Sequence, residues 1–267
     1  MSQSLSVAAN WIKDAPRGKG ALPQDRENLV YRALETALGP QAGLHVELKK
    51  RVPMGAGLGG GSSNAGTLLA ELVREELLES AQAEKIALGL GADVPFFLDP
   101  RPSWVEGIGE RRVALRVAKP VRDRLSFLLI LPPRSTPTPV LFAKYRALRV
   151  PFARKTTLPT QRALDWKTLK AYLNRAENSL QGVAALEYPL LQDILSALEK
   201  TQPLHAALSG TGSTCFAVYP RLEAAQQAAK DLQAFCRKED CRSIVARTHW
   251  GEQHGNHRSE GISRKRR

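Results

Sequence analysis

Five glycines, Gly55, Gly57, Gly59, Gly60 and Gly61, crowd the run PMGAGLGGGSSNAG (residues 53–66), directly ahead of the apolar stretch TLLAELV. Glycine loses more backbone entropy on folding than any other residue, so such a density belongs where the main chain must take φ > 0 or approach another group closely. The flanks narrow the choice. Upstream, LHVELKKRV (44–52) alternates Leu44, Val46 and Leu48 with His45, Glu47 and Lys49, the period of a half-buried strand. Downstream, Leu68, Leu69, Leu72, Val73 and Leu77 recur at helical spacing. The run therefore joins a strand to a helix, which is expected to begin near Ser62 or Ser63, whose hydroxyls can cap free amides. Free N–H groups and a partial positive charge at a glycine-rich helix entrance make an anion cradle, and phosphate is its commonest ligand. Two phosphate patterns are excluded: GxxxxGK[ST] requires a lysine where Gly61 precedes Ser62, and the GxGxxG spacing at Gly55, Gly57 and Gly60 lacks the strand-borne acid about twenty residues on.

Elsewhere the periodicities give a mixed chain. NLVYRALETALG (28–39) is a helix ended by Gly39-Pro40, and AQAEKIALGLG is a shorter helix ending at Gly91. RRVALRVA (111–118) and SFLLILPP (126–133) read as strands. LLQDILSALEK (190–200), HAALSG (205–210), TCFAVY (214–219), AAQQAAKDLQAFC (224–236) and SIVARTHW (243–250) follow as helix, strand, strand, helix, strand. Without a regular βαβ repeat, an α+β chain of two lobes is expected, divided near KPVRDRL (119–125). RKTTLPTQRALD (154–165) reads as a polar linker or insertion, and the last dozen or so residues as disordered.

Composition closes off several function classes. The 267 residues suffice for two modest domains, and no apolar run approaches membrane-spanning length. The amino terminus has no basic region followed by an apolar core, so a cytoplasmic location is the simplest expectation. The net charge of +13 suggests nucleic acid, but HRSEGISRKRR at the carboxyl end carries five of the basic residues, and the remaining excess is spread along the chain. Aromatic residues, 6% of the chain, do not interleave with that charge, so neither nucleic acid nor membrane is expected as a partner. Cys215, Cys236 and Cys241 have no CxxC spacing and read as reduced thiols, Cys215 in the core. His249, His254 and His257 read as solvated side chains, not a metal site.

Several segments in order carry a family resemblance: NLVYRA (28–33), PMGAGLGGGSSNAG, LGADVPFFL (90–98), EGIGE (106–110), STPTPVLF (135–142), AENSLQ (176–181) and LSGTGSTCFAVY (208–219). Together they resemble the GHMP kinases, the group that includes galactokinase, homoserine kinase and mevalonate kinase, from about residue 22 to about residue 250. The triple glycine and double serine lie nearest the branch acting on 4-diphosphocytidyl-2-C-methyl-D-erythritol. The resemblance implies a two-lobed α+β fold: a ribosomal-protein-like ATP-binding lobe over 1–120, incomplete here, a ferredoxin-like lobe over 121–252, and a basic tail over 253–267. It also implies phosphoryl transfer from ATP with Mg²⁺ to the 2-hydroxyl of that small molecule, by a monomer or weak homodimer.

The residue roles that follow are expectations. Pro53, Met54, Gly55, Ala56, Gly57, Leu58, Gly59, Gly60, Gly61, Ser62 and Ser63 would hold the nucleotide, and Asn28, Leu29 and Lys50, with Met54, would line its adenine pocket. Asn28 reads equally as a helix N-cap. Asp93, flanked by Ala92, Val94 and Pro95, would be a partly buried general base, against a plain turn aspartate. Thr138, Pro139 and Phe142 would touch the substrate, Phe142 stacking on cytosine unless it belongs to the core. Ser209, Gly210, Thr211, Gly212 and Ser213 would close over phosphates and substrate, against a simple hairpin turn. Family members open with a PAKLNL-like strand, whose lysine sits by the catalytic aspartate, and a GYH-like segment. Residues 1–21 match neither, holding only Lys13 and Lys19 in a polar setting with no strand pattern. The expectation is a true start upstream of Met1, the other reading being a non-catalytic nucleotide-binding relative.

Overall fold

Two hydrophobic clusters organise the protein, each within its own unit of a computed structural model that describes residues 6–11, 23–149 and 163–248. Of the described residues, the first unit takes those up to Pro53 and then Gly59–Ala114; the second takes Met54–Leu58 and those from Leu115 to residue 248.

In the first unit, β1 (Ser6–Trp11) pairs in parallel with β2 (His45–Lys50), Val7 opposite Val46. A strand at Ser6–Trp11 corrects the expectation of none before residue 21: SVAANW is short and weakly apolar, and its hydrogen-bonding partner comes only some forty residues later. Helix α1 (Leu29–Leu38) buries Val30, Ala33 and Leu34. Helix α2 (Gly60–Arg74) buries Ala65, Gly66, Leu69 and Leu72, and α3 (Ser80–Leu90) buries Ala83 and Ala87. These stripes meet in one core with Val7, Leu44 and Val94. A 3₁₀ turn (Pro95–Leu98) leads to an antiparallel hairpin of β3 (Ser103–Glu106) and β4 (Arg111–Ala114).

The second unit opens with β5 (Arg116–Val117) and α4 (Lys119–Arg122). The single strand expected over 111–118 is thus two, because β4 pairs with β3 whereas β5 pairs in parallel with β7 (Ala163–Leu164), which falls in the expected linker. After β6 (Ser126–Leu131) come α5 (Thr138–Ala147), α6 (Trp166–Leu173), α7 (Gln181–Glu187) and α8 (Leu190–Lys200). Strands β8 (His205–Leu208) and β9 (Cys215–Tyr219) follow, then α9 (Leu222–Asp231), α10 (Gln233–Lys238) and β10 (Arg242–Arg247). The expected helix over 224–236 is broken at Leu232.

The sheet order β10-β6-β9-β8 is antiparallel throughout, the strand arrangement of a ferredoxin-like layer. Period-two alternation sorts its faces. Leu128 and Ile130 of β6 and Cys215, Ala217 and Tyr219 of β9 pack under Leu191, Ile194, Leu195 and Leu198 of α8 and Ala225 and Ala228 of α9. Phe127 and Phe216 meet on the opposite face, ring centroids 6.4 Å apart. Burial pushes the Cys215 thiol up to about 12, as suits a core residue without chemistry.

No described helix is long and apolar enough to cross a membrane. Lys13 and Lys19, His249, His254 and His257, and the tail over 253–267 lie outside the described residues.

Candidate functional site

The helix after the glycine run begins at Gly60, earlier than the serines. Gly59 takes the N-cap position in the left-handed region (φ 64°, ψ 16°), which glycine alone enters without a Cβ penalty. Neither serine caps: the Ser63 amide donates to the Gly59 carbonyl at 2.8 Å and its hydroxyl to the Gly60 carbonyl at 3.1 Å. The amides of Gly60, Gly61 and Ser62 are the orphan donors of a first helical turn, and they have no partner among the described residues.

Lys50, the last residue of β2, stands beside them. A Cβ at Gly60 would lie 3.3 Å from its Nζ. Only 7% of Lys50 is exposed, no carboxylate pairs with it among the described residues, and burial lowers its pKa. A desolvated ammonium next to unpaired amides suits an anion. Leu29 is also here, its Cδ1 3.4 Å from where a Gly61 Cβ would sit. Asn28 is held by the fold itself: its Oδ1 accepts the Val30 amide at 3.0 Å, capping α1, while its Nδ2 donates to the Pro23 carbonyl at 2.8 Å.

Asp93 lies in the turn between α3 and the 3₁₀ segment, and it is exposed, not partly buried as its apolar neighbours suggest. Val94 and Pro95 turn inward, Val94 to 0% exposure, which puts Ala92 and Asp93 on the outside of the turn. The carboxylate has no partner among the described residues. Two close approaches grip this turn. A Cβ at Gly66 of α2 would fall 2.5 Å from Phe97 Cβ and 2.7 Å from the Val94 carbonyl oxygen. One at Gly109 (φ 99°), in the β3–β4 turn, would fall 2.1 Å from the Ala92 carbonyl oxygen. Arg112 of β4 adds a hydrogen bond to the Pro95 carbonyl at 2.6 Å. The NAG end of the glycine run and the EGIGE segment thus both position Asp93.

In the second unit, residues 54–58 pack against the other glycine turn. The Ser209 hydroxyl donates to the Gly57 carbonyl at 2.7 Å, and the Thr214 amide to the Ala56 carbonyl at 3.2 Å. Gly57 (φ 73°) admits no side chain, since a Cβ would lie 2.1 Å from the Ser209 carbonyl oxygen and 2.7 Å from that of Gly212. Residues 209–214 do connect β8 to β9 as a hairpin, but one tied down from outside. Asn178 Nδ2 donates to the carbonyls of Leu208 (2.9 Å) and Gly210 (2.8 Å), and its Oδ1 accepts the Leu180 amide. Gln181 Oε1 accepts the Leu208 amide at 2.9 Å. The hydroxyls of Thr138 and Thr211 share a hydrogen bond at 2.9 Å, joining the two segments expected to touch substrate. Pro139 and Phe142 follow Thr138 on α5, and Phe142 is 44% exposed and therefore no core residue. Asn178 and Gln181 were not expected; both sit in the AENSLQ segment, which marked the place without the role.

Comparison with known proteins matches the pattern of the GHMP kinases N terminal domain to residues 28–99 and that of the GHMP kinases C terminal domain to residues 160–238. The protein named 4-diphosphocytidyl-2-C-methyl-D-erythritol kinase from Ruegeria pomeroyi is 34% identical over 207 residues, 78% of this chain and 71% of that protein. Its namesake from Ralstonia nicotianae is 37% identical over 217 residues, 79% and 70% of the two chains. A crystal structure of 4-(cytidine 5'-diphospho)-2C-methyl-D-erythritol kinase superposes with a TM-score of 0.60 at 30% identity, over 91% of this chain and 82% of that one. Homoserine kinase from Cytophaga hutchinsonii shares the fold, with a TM-score of 0.61 at 20% identity over 90% and 81%.

Proposed function

Since this chain belongs to the GHMP kinases, we propose that it transfers the γ-phosphoryl group of ATP to the 2-hydroxyl of 4-diphosphocytidyl-2-C-methyl-D-erythritol, the substrate named for its relatives. One observation carries the reading: three unpaired amides at the start of α2 and a free, exposed carboxylate at Asp93, held on the same helix by the close approach at Gly66.

Phosphoryl transfer asks a protein for placement and charge stabilisation more than for covalent chemistry. The amides of Gly60, Gly61 and Ser62 point donors at a polyanion without the rotamer entropy of side chains. Burial lowers the Lys50 pKa, and an anion beside its ammonium favours the charged form, so binding and protonation reinforce one another. Asn28 acts on the nucleotide side through the backbone of α1, its side chain being committed to the cap. Asp93 accepts the proton of the attacking hydroxyl and orients it, a task suited to a carboxylate with unused lone pairs. Thr138, Phe142 and the 209–212 turn serve the substrate, with the exposed Phe142 ring offering a face for a base. Among the described residues no three of His, Cys, Asp or Glu gather to hold a metal. Mg²⁺ fits here as the counterion of the nucleotide, needing at most an oxygen from Ser62.

The test is phosphate transfer from radiolabelled ATP to the cytidylyl substrate, with homoserine and mevalonate as comparators. Asp93→Asn is expected to lower kcat by about 10²- to 10⁴-fold while leaving ATP affinity and melting temperature unchanged, as fits an exposed side chain. Full turnover by that variant would remove Asp93 as the base. ATP binding without product from the unaltered chain would favour a non-catalytic nucleotide-binding relative.

A further inference from the structure

In the first unit, α1 and α3 enclose a groove of about 440 Å³ that uses none of the candidate site residues. Its floor is apolar: Leu78 is buried, and Ile86 and Leu90 pack on the core. Two exposed cations line it, Arg32 from α1 and Lys85 from α3, and neither has an ion-pair partner among the described residues. Neighbouring carboxylates are engaged elsewhere, Glu35 with Arg26 and Glu84 with Arg112.

Gly89 is the second observation. It stands on the same face of α3 as Lys85 and Ile86, and its φ is outside the left-handed region. A Cβ added there would meet nothing within 4 Å. A glycine inside a helix costs about 0.5–1 kcal/mol relative to alanine, and neither backbone geometry nor packing requires one at this position. A helical side chain leans over the turn before it, so any residue larger than glycine at 89 would project over Lys85 and Ile86, into the groove.

We propose that this groove binds a small amphiphilic anion, a phosphate- or carboxylate-headed molecule with a short aliphatic body. The cations complement the head, with the Arg32 guanidinium able to grip two oxygens, and the floor takes the body. The volume lies within the range of about 300–1,000 Å³ usual for small-molecule sites. The proposal rests on residues separate from those of phosphoryl transfer and stands whether or not that reading holds.

The experiment is a titration of the ¹⁵N-labelled full chain with n-octyl phosphate and, separately, octanoate, following the Gly89 amide. Saturable shifts with at least one of the two are expected, and the stronger of them identifies the preferred head group. Octanol and inorganic phosphate should each bind about tenfold more weakly or worse, since each offers half of the chemistry. Arg32→Ala with Lys85→Ala should weaken the anion about tenfold and leave octanol unchanged. Gly89→Leu should abolish saturable binding with a melting temperature at or above that of the parent, which separates a filled groove from a damaged fold. No saturable shift up to about 1 mM, or binding indifferent to both sets of substitutions, would overturn the proposal. So would a change in sedimentation on Gly89→Leu, which would make the groove a contact between copies of the chain.

Discussion

The two halves of one glycine run do opposite things. Residues 54–58 spend their backbone groups inside the second unit, where the Ala56 and Gly57 carbonyls are taken by Thr214 and Ser209 and a Gly57 side chain has no room. Residues 59–62, in the first unit, keep three amides unspent, and a Cβ at Gly59, Gly60 or Gly61 would meet side chains and no backbone, the Phe97 ring at 3.7 Å, Val52 at 3.1 Å and Leu29 Cδ1 at 3.4 Å. The same residue type is therefore kept for two reasons: close packing in the first half, bare donors in the second.

Substitutions can break or sharpen that contrast. The largest effect is expected from Gly57→Ala, which drives a Cβ into two carbonyl oxygens at a positive φ; stability should fall by about 1–3 kcal/mol, and catalysis with it. Gly61→Ala, by contrast, should leave thermal unfolding within about 0.5 kcal/mol of the parent and act on nucleotide affinity instead. Equal unfolding losses in the two variants would erase the distinction.

Next in size is Asn178, whose amide holds two carbonyls of the β8–β9 connection. Asn178→Asp keeps the acceptor for the Leu180 amide and loses both donors, so a destabilisation of about 1–2 kcal/mol should accompany a raised KM for substrate. Asn178→Ala loses the bond to the Leu180 amide as well but places no anion against the two carbonyls, so it separates lost donors from added repulsion. A melting curve unchanged in the aspartate variant would show the turn to be held by Gln181 and Ser209 alone.

The smallest effect is a pH dependence at Lys50. Burial lowers its pKa in the folded chain below the ordinary value of 10.5. Below the folded pKa both states carry the proton, and the fold bears the cost of a desolvated charge. As pH rises from there towards 10.5, the unfolded chain holds more protons than the folded one, so stability increases. The difference in melting temperature between the parent and Lys50→Met should shift in the parent's favour over that window, and saturating ATP should flatten the trend by restoring the charged form. A difference that does not vary with pH would mean the ammonium is solvated.

Local patterns were legible where they repeat within a few residues. The alternation of 44–52 and the leucine spacing after the run placed β2 and α2 on either side of the glycines. Helix α2 starts ahead of the serines because Gly59, in a left-handed conformation, occupies the cap that a serine hydroxyl usually takes. Helix α5 was hidden by Pro137 and Pro139, which look like loop residues but occupy the N-cap and second helical positions, where no amide is needed. Asp93 stood out by its apolar neighbours, yet its exposure depends on Gly66 and Gly109, distant in sequence and close in space. Asn178 and Gln181 are invisible for the same reason: nothing near them in the chain announces the backbone groups they meet about thirty residues on, the Leu208 and Gly210 carbonyls for Asn178 and the Leu208 amide for Gln181.

The division of the run at Leu58–Gly59 limits how this protein can be taken apart. A fragment cut at the apparent boundary, Ala114–Leu115, would carry the whole four-stranded sheet and still lack five residues that belong to it. Its Ser209 hydroxyl and Thr214 amide would face solvent or each other, missing acceptors that are encoded more than fifty residues before the cut. The second unit is thus a module in space without being one in sequence, and an engineer exchanging it between relatives would have to exchange MGAGL along with it.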